Sequence, residues 1–162
     1  MKQLLIKKFE PKYIDDFNFD KEYIEYINKV VENTKLNILL LGNTGSGKSL
    51  LIDAILYNYY NVTSLINIKN NILFISSLKE QGVMFYKNDV RTFCQSTSEI
   101  HNKKKTIVID NLDNLTDINQ NIFKMHMETY GKKVNFICSC NNINKINKII
   151  LNHLIVIKLN PV

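Results

Sequence analysis

The chain has 162 residues, 45% of them hydrophobic, which suits one domain built on a single core over residues 1–162. No window reaches the roughly 18 uninterrupted apolar residues of a membrane span, and the start, "MKQLLIKKFEP", lacks the apolar stretch and small-residue cleavage site of a secretory signal. The formal net charge of +6 permits contact with nucleic acid, but the lysines are scattered and rarely massed. Cys94, Cys138 and Cys140 have no metal-ligand spacing and read as small core residues, which fits an intracellular, reducing compartment, cytoplasm or nucleus.

In chain order, "DKEYIEYINKVVEN" sets Tyr23, Ile24, Ile27, Val30 and Val31 on one helical face, with Asp20 available as a cap. The apolar run Asn37 to Gly42 predicts a strand that meets a glycine-rich turn, and helical spacing resumes through Leu51, Ile55 and Tyr59. A second strand is predicted over Asn71 to Ser76, followed after Gly82 by a helix through Phe85, Val90 and Phe93. "TIVID", "VNFICSC" and "LIVIKL" give the third, fourth and fifth strands, with a helix in "DINQNIFKMHMETYG" between the third and fourth. Five apolar strands separated by helices predict an α/β fold with a mainly parallel five-stranded sheet covered on both faces.

"GNTGSGKS" fits the phosphate-loop pattern at every position and lies between a predicted strand and a predicted helix. Gly42, Gly45 and Gly47 allow the backbone to wrap tightly, with Asn43, Thr44 and Ser46 completing the loop whose amides face a phosphate. In such a loop Lys48 reaches the β- and γ-phosphates and Ser49 gives a hydroxyl to Mg²⁺, which predicts ATP and Mg as cofactors. Asp110 ends the third strand, on the same sheet edge as the loop if the strands are parallel. There it either holds the metal through water or caps a turn. Asn141, just past the fourth strand, either orients the γ-phosphate or a water, or closes an Asx turn in "CNNIN". Asn111 follows Asp110, where a nucleotide-hydrolysing site often has a glutamate; its amide holds a water but is no carboxylate base. His101, His126 and His153 are widely separated and give no zinc pattern.

Taken together, these strings resemble the nucleotide-binding domain of the small subunits of the replication factor C type sliding-clamp loader, within the AAA+ ATPases. "KKFEPKYIDDF", Lys7 to Phe17, is similar to the family's segment near the adenine pocket, and "SSLKEQGV" is loosely similar to the segment after its second strand. "DNLDNLTDINQ" lines up with the D-E-A-D-x-[ML]-T-x-x-A-Q signature through Asp110, Asp113, Thr116 and Gln120, and "KMHME" stands in the place of R-R-x-M-E. "FICSCNN" ends like the family's sensor strand at Asn141.

The resemblance implies a P-loop NTPase fold of AAA+ type, ATP and Mg²⁺ as ligands, clamp-loader subunits and a sliding clamp as partners, and a role in DNA replication. It also implies two departures. Asn111 takes the place of the Walker B glutamate, and His153 in "LNHL" takes the place of the arginine finger offered to a neighbour's ATP. An arginine supplied in trans is worth about 10³–10⁵ in rate in related phosphoryl-transfer systems, so both changes point to weak or absent hydrolysis. The chain ends at Val162, where the family continues into a helical lid and a C-terminal collar, so neither is expected here. The expected function is therefore ATP binding in a clamp-loader-like subunit, with weak, salt-sensitive, sequence-independent contact to DNA. A weak ATPase that remodels another DNA-bound protein, and an interaction domain with a relic loop, are the alternatives.

Overall fold

The computed structural model describes residues 9–32, 36–79 and 81–159; Lys7 and Lys8 of the N-terminal segment lie outside this range. Five strands form the sheet: β1 (Asn37–Leu41), β2 (Ile72–Ser76), β3 (Lys105–Asp110), β4 (Val134–Cys140) and β5 (Ile155–Lys158). Every pairing is parallel and the spatial order is β2-β3-β4-β1-β5. The α/β fold with a five-stranded parallel sheet is thus as expected. The order matters for function because it sets the carboxyl ends of β1, β4 and β3 side by side.

The helices are α1 (Lys21–Glu32), α2 (Lys48–Tyr60), α3 (Val90–Gln95), α4 (Asp117–Tyr130) and α5 (Lys148–Asn152). Alternate strand residues point to opposite faces, and each face has its own core. Leu40, Val108, Ile137 and Ile157 pack under Ile27 and Val31 of α1 and Leu51, Ile55 and Leu56 of α2. Leu39, Ile107, Ile109, Phe136 and Cys138 pack under Val90 of α3, Phe123 and Met127 of α4, and Ile150 of α5. Burying a side chain such as Leu51 or Phe123, each fully enclosed, stabilises by roughly 1.5–3 kcal/mol, so the sheet is held from both sides. All three cysteines are free and buried, Cys138 and Cys140 on the α4 side, as small core residues.

Local chemistry starts and stops these elements. Thr116 caps α4, its hydroxyl oxygen accepting from the Asn119 amide at 3.2 Å. α1 differs from the expected side-chain cap: the backbone carbonyl of Asp20 takes the amides of Tyr23 and Ile24, both at 3.0 Å. The helix expected after Gly82 opens as a π turn over Phe85–Asp89 before becoming α3. The wider turn frees a carbonyl, and His126 of α4 is 2.7 Å from it, its Nε2 on the Tyr86 oxygen. Between β4 and β5 the chain shows no long helical period, and the crossover holds only a 3-10 turn, Ile143–Lys145, and the short α5. Among the described residues no helix is long and apolar enough to cross a membrane.

Candidate functional site

The loop between β1 and α2 is shaped by two left-handed glycines, Gly45 at φ 80° and Gly47 at φ 86°. A side chain is strained in that region, and around both positions the space is open. At Gly42 an added Cβ would lie 2.6 Å from the rotatable Ser46 Oγ and 3.2 Å from both the Cβ and the backbone oxygen of Leu159, so the position is tight. Lys48 opens α2 and is nearly enclosed, 7% exposed. Its ammonium donates to the carbonyls of Gly42 at 2.8 Å and Asn43 at 2.7 Å, with Ser46 Oγ at 3.5 Å. The loop therefore folds around the cation that the sequence assigns to phosphate, and Gly42, Asn43 and Ser46 form its back wall.

Its front opens into a cleft of about 350 Å³ lined by Thr44, Gly45, Gly47, Lys48, Ser49, Leu50, Asp110, Asn111 and Asn141. Residues far apart in sequence meet there because the sheet is parallel. Asp110 is at the end of β3; its Oδ1 accepts from the Ser139 hydroxyl at 2.5 Å, and among the described residues no backbone amide is capped by its carboxylate. Asn111 turns the chain sharply, at φ 56° and ψ 57°, and its amide donates to the same Ser139 oxygen at 3.0 Å. Asn141 sends its side-chain Nδ2 to Thr44 Oγ1 at 3.3 Å. The Asx turn in "CNNIN" belongs to its neighbour Asn142, whose Oδ1 accepts from the Asn144 amide at 3.0 Å.

The other signature residues tie loops together. Asp113 Oδ2 accepts from the amides of Asn141 at 3.2 Å and Asn142 at 3.0 Å. Gln120 donates to the carbonyls of Leu115 and Lys145 at 3.2 Å and 3.0 Å and accepts from the Asn147 amide at 2.8 Å. Sequence reasoning assigns no site role to Ser139 or Asp113. A serine in the apolar run "FICSC" two residues before Asn141 is the signal that points to the first of them.

His153 is elsewhere: it closes α5 just before β5 begins, so it stands at the opposite end of the strands from the cleft, with Nε2 3.9 Å from Glu128 Oε1. Burial, and then the nearby Asp113, push the Cys140 thiol up to about 12, against the opposing Lys48 charge, so it is no nucleophile at neutral pH. Among the described residues no three His, Cys, Asp or Glu side chains gather as a metal cage. A hydroxyl and a carboxylate beside an open loop of amides nevertheless fit Mg²⁺, which takes few protein ligands and fills its octahedron with phosphate oxygens and waters.

Fold and cleft together define a P-loop domain of the α/β class. A model of the ATPase family associated with various cellular activities (AAA) matches residues 38–159, and the chain belongs to that family. It is similar to the replication factor C small subunit of Sulfolobus acidocaldarius, 28% identical over 144 residues, or 88% of this chain and 43% of that protein. It is likewise 28% identical to replication factor C subunit 3 of Saccharomyces cerevisiae, over 90% of this chain and 42% of that one. The chain thus spans less than half the length of these curated relatives. Among solved structures, a DNA polymerase III gamma subunit-related protein from Thermotoga maritima superposes with a TM-score of 0.68 at 13% identity, over 84% of this chain and 45% of that one. A point mutant of RuvB from Thermotoga maritima does so with a TM-score of 0.68 at 14% identity, over 94% and 49%. At such identities these superpositions speak for the fold alone.

Proposed function

We propose that this chain is a Mg²⁺–ATP-binding, clamp-loader-like subunit that acts inside the cell in DNA replication and hydrolyses its nucleotide weakly or not at all. One observation carries the reading: a complete phosphate loop opens into the same cleft as Asp110, Asn111 and Asn141, and the residue next after Asp110 is an amide, not a carboxylate. Lys48 exchanges its two carbonyl bonds for phosphate oxygens, while the loop amides and the start of α2 add partial positive charge. Ser49 and Asp110 would hold Mg²⁺, the latter through water, and the metal would supply neutralisation of charge on the phosphates. Asn141 leaves Thr44 for the γ-phosphate or a water beside it. Asn111 hydrogen-bonds a water without taking its proton, which separates binding from turnover.

The likeness to replication factor C subunits supports loader subunits and a sliding clamp as partners. The +6 charge supports weak, salt-sensitive, sequence-independent DNA contact.

Calorimetry of ATP with the unaltered protein, K48A and D110N tests the site. K48A should lose roughly tenfold or more in affinity, and D110N should lose mainly the gain that Mg²⁺ brings. Equal affinity of K48A and the parent would refute the loop assignment, and fast phosphate release by the parent alone would refute binding without turnover. Capture of a sliding clamp or purified loader subunits tests the partner.

A further inference from the structure

Ser139 is fully buried near the end of β4, the strand between β1 and β3. Its register neighbour on β1 is Leu40, and the preceding residue, Cys138, faces Ile109 on β3, so residue 139 comes beside Asp110 across the seam. A hydroxyl has one proton to donate and lone pairs to accept with. A carboxylate accepts and an amide donates, so the direction of both bonds is settled: Ser139 Oγ donates to Asp110 Oδ1 and accepts from the Asn111 N–H. One side chain holds the last residue of β3 and the first residue of the turn after it. Among the described residues no protein group bonds Asp110 Oδ2.

We propose that Ser139 is the positioning residue for the metal side of the site. By occupying Oδ1 it leaves Oδ2 for the cleft, and by taking the Asn111 amide it holds that residue in its left-handed turn at the cleft wall. Ser139 touches neither nucleotide nor metal and acts only through Asp110 and Asn111. Partners of this kind are often worth roughly 10–100-fold in metal affinity when removed. The proposal rests on the Mg²⁺–ATP reading above, and its test has one arm that does not.

ATP affinity is measured by calorimetry in Mg²⁺ and in EDTA for the unaltered full chain, S139A, S139T and S139C, with hydrogen exchange followed at the Asn111 amide. S139A should cut the Mg²⁺ enhancement of affinity roughly tenfold while affinity in EDTA holds. The Asn111 amide should exchange about tenfold faster in S139A without nucleotide. S139T, which keeps the hydroxyl, should return both readouts toward the parent. S139C, close to serine in size but a weaker donor, should fall between S139A and the parent even if the threonine methyl is not accommodated. An undiminished Mg²⁺ enhancement in S139A would overturn the proposal, as would equal losses in Mg²⁺ and EDTA, which mark a merely structural serine. If the unaltered protein binds ATP equally with and without Mg²⁺, the metal reading falls and the metal half of this proposal with it. The exchange rate then still decides whether Ser139 holds Asn111.

Discussion

Replacing Asn111 by glutamate looks like a repair of the missing base, but the backbone at this position makes it costly. Asn111 lies at φ 56° and ψ 57°, where asparagine is tolerated and longer L residues lose roughly 1–2 kcal/mol. N111E therefore begins with about 1 kcal/mol of strain, before any effect on chemistry. N111G removes the Cβ strain but gives the unfolded chain about 0.5–1 kcal/mol more entropy to lose, so the two terms nearly cancel. In a domain of this size 1 kcal/mol shifts the melting midpoint by roughly 2–4 °C. In nucleotide-free thermal melts followed by circular dichroism, N111E should melt roughly 2–4 °C below the parent, with N111D and N111G close to it. If the turn relaxes out of the left-handed region, the bond from the Asn111 amide to Ser139 goes with it and the new carboxylate is misaligned. Phosphate release by monomeric N111E should then fall short of the roughly 10²–10⁴ gain of an aligned general base. An N111E protein as stable as the parent, with N111G clearly destabilised, would refute the conformational argument. A full gain in turnover would show that the carboxylate alone was missing.

Burial pushes the thiols of Cys94 and Cys140 up to about 12 and that of Cys138 further in the same direction, so a thiol-reactive disulfide at about pH 8 should label none of them in the folded chain and all three after denaturation. Burial pulls Lys105 below its ordinary 10.5, so the folded state releases this proton first, and the contribution of Lys105 to stability rises as pH climbs from below the lowered value toward 10.5, against the loss that the raised thiols bring above their ordinary 9.0. K105M should make stability fall more steeply with pH than in the parent across that window, as read from melts, and equal slopes in the two proteins would refute it. D113A removes the acceptor of two exposed amides at the end of β4 and should cost roughly 0.5–1.5 kcal/mol in denaturant unfolding; a loss near zero would show that water replaces the carboxylate fully. H153R gains at most about 1 kcal/mol from Glu128 on an exposed surface and should leave ATP binding and phosphate release by the isolated chain unchanged. A rate gain without partners would refute its distance from the chain's own cleft.

Continuous apolar runs made the strands legible, because a strand buried on both faces has no polar phase to disguise it. β1, β2 and β4 begin and end within a residue of where the sequence ends them. The π turn at Phe85–Asp89 was not legible, since its partner, His126, is 40 residues away. Strand order was not legible either, because it depends on pairings between segments such as β1 and β4, about 100 residues apart in register, Asn37 facing Phe136. The phosphate loop was readable as a local string with a local cause, its glycines and one lysine. Asn141 was readable only as a pair of alternatives, and it took the geometry to give the Asx turn to Asn142 and the reach toward Thr44 to Asn141.

The same distinction bears on Asn111. As a letter in the sequence it is a lost carboxylate, judged against the chemistry expected one residue after Asp110. In the fold it also occupies a left-handed position and gives its amide to Ser139, so the residue that removes a base is one that suits the turn. Two short hydrogen-bond paths converge on the cleft, Asp110–Ser139–Asn111 from β3 and Asp113–Asn141–Thr44 from β4. On the Mg²⁺–ATP reading proposed above, both join groups that would receive a phosphate and a metal, and neither places a carboxylate at position 111. The proposed separation of binding from turnover follows from this order, because the bonds that shape the cleft would not depend on a carboxylate at position 111.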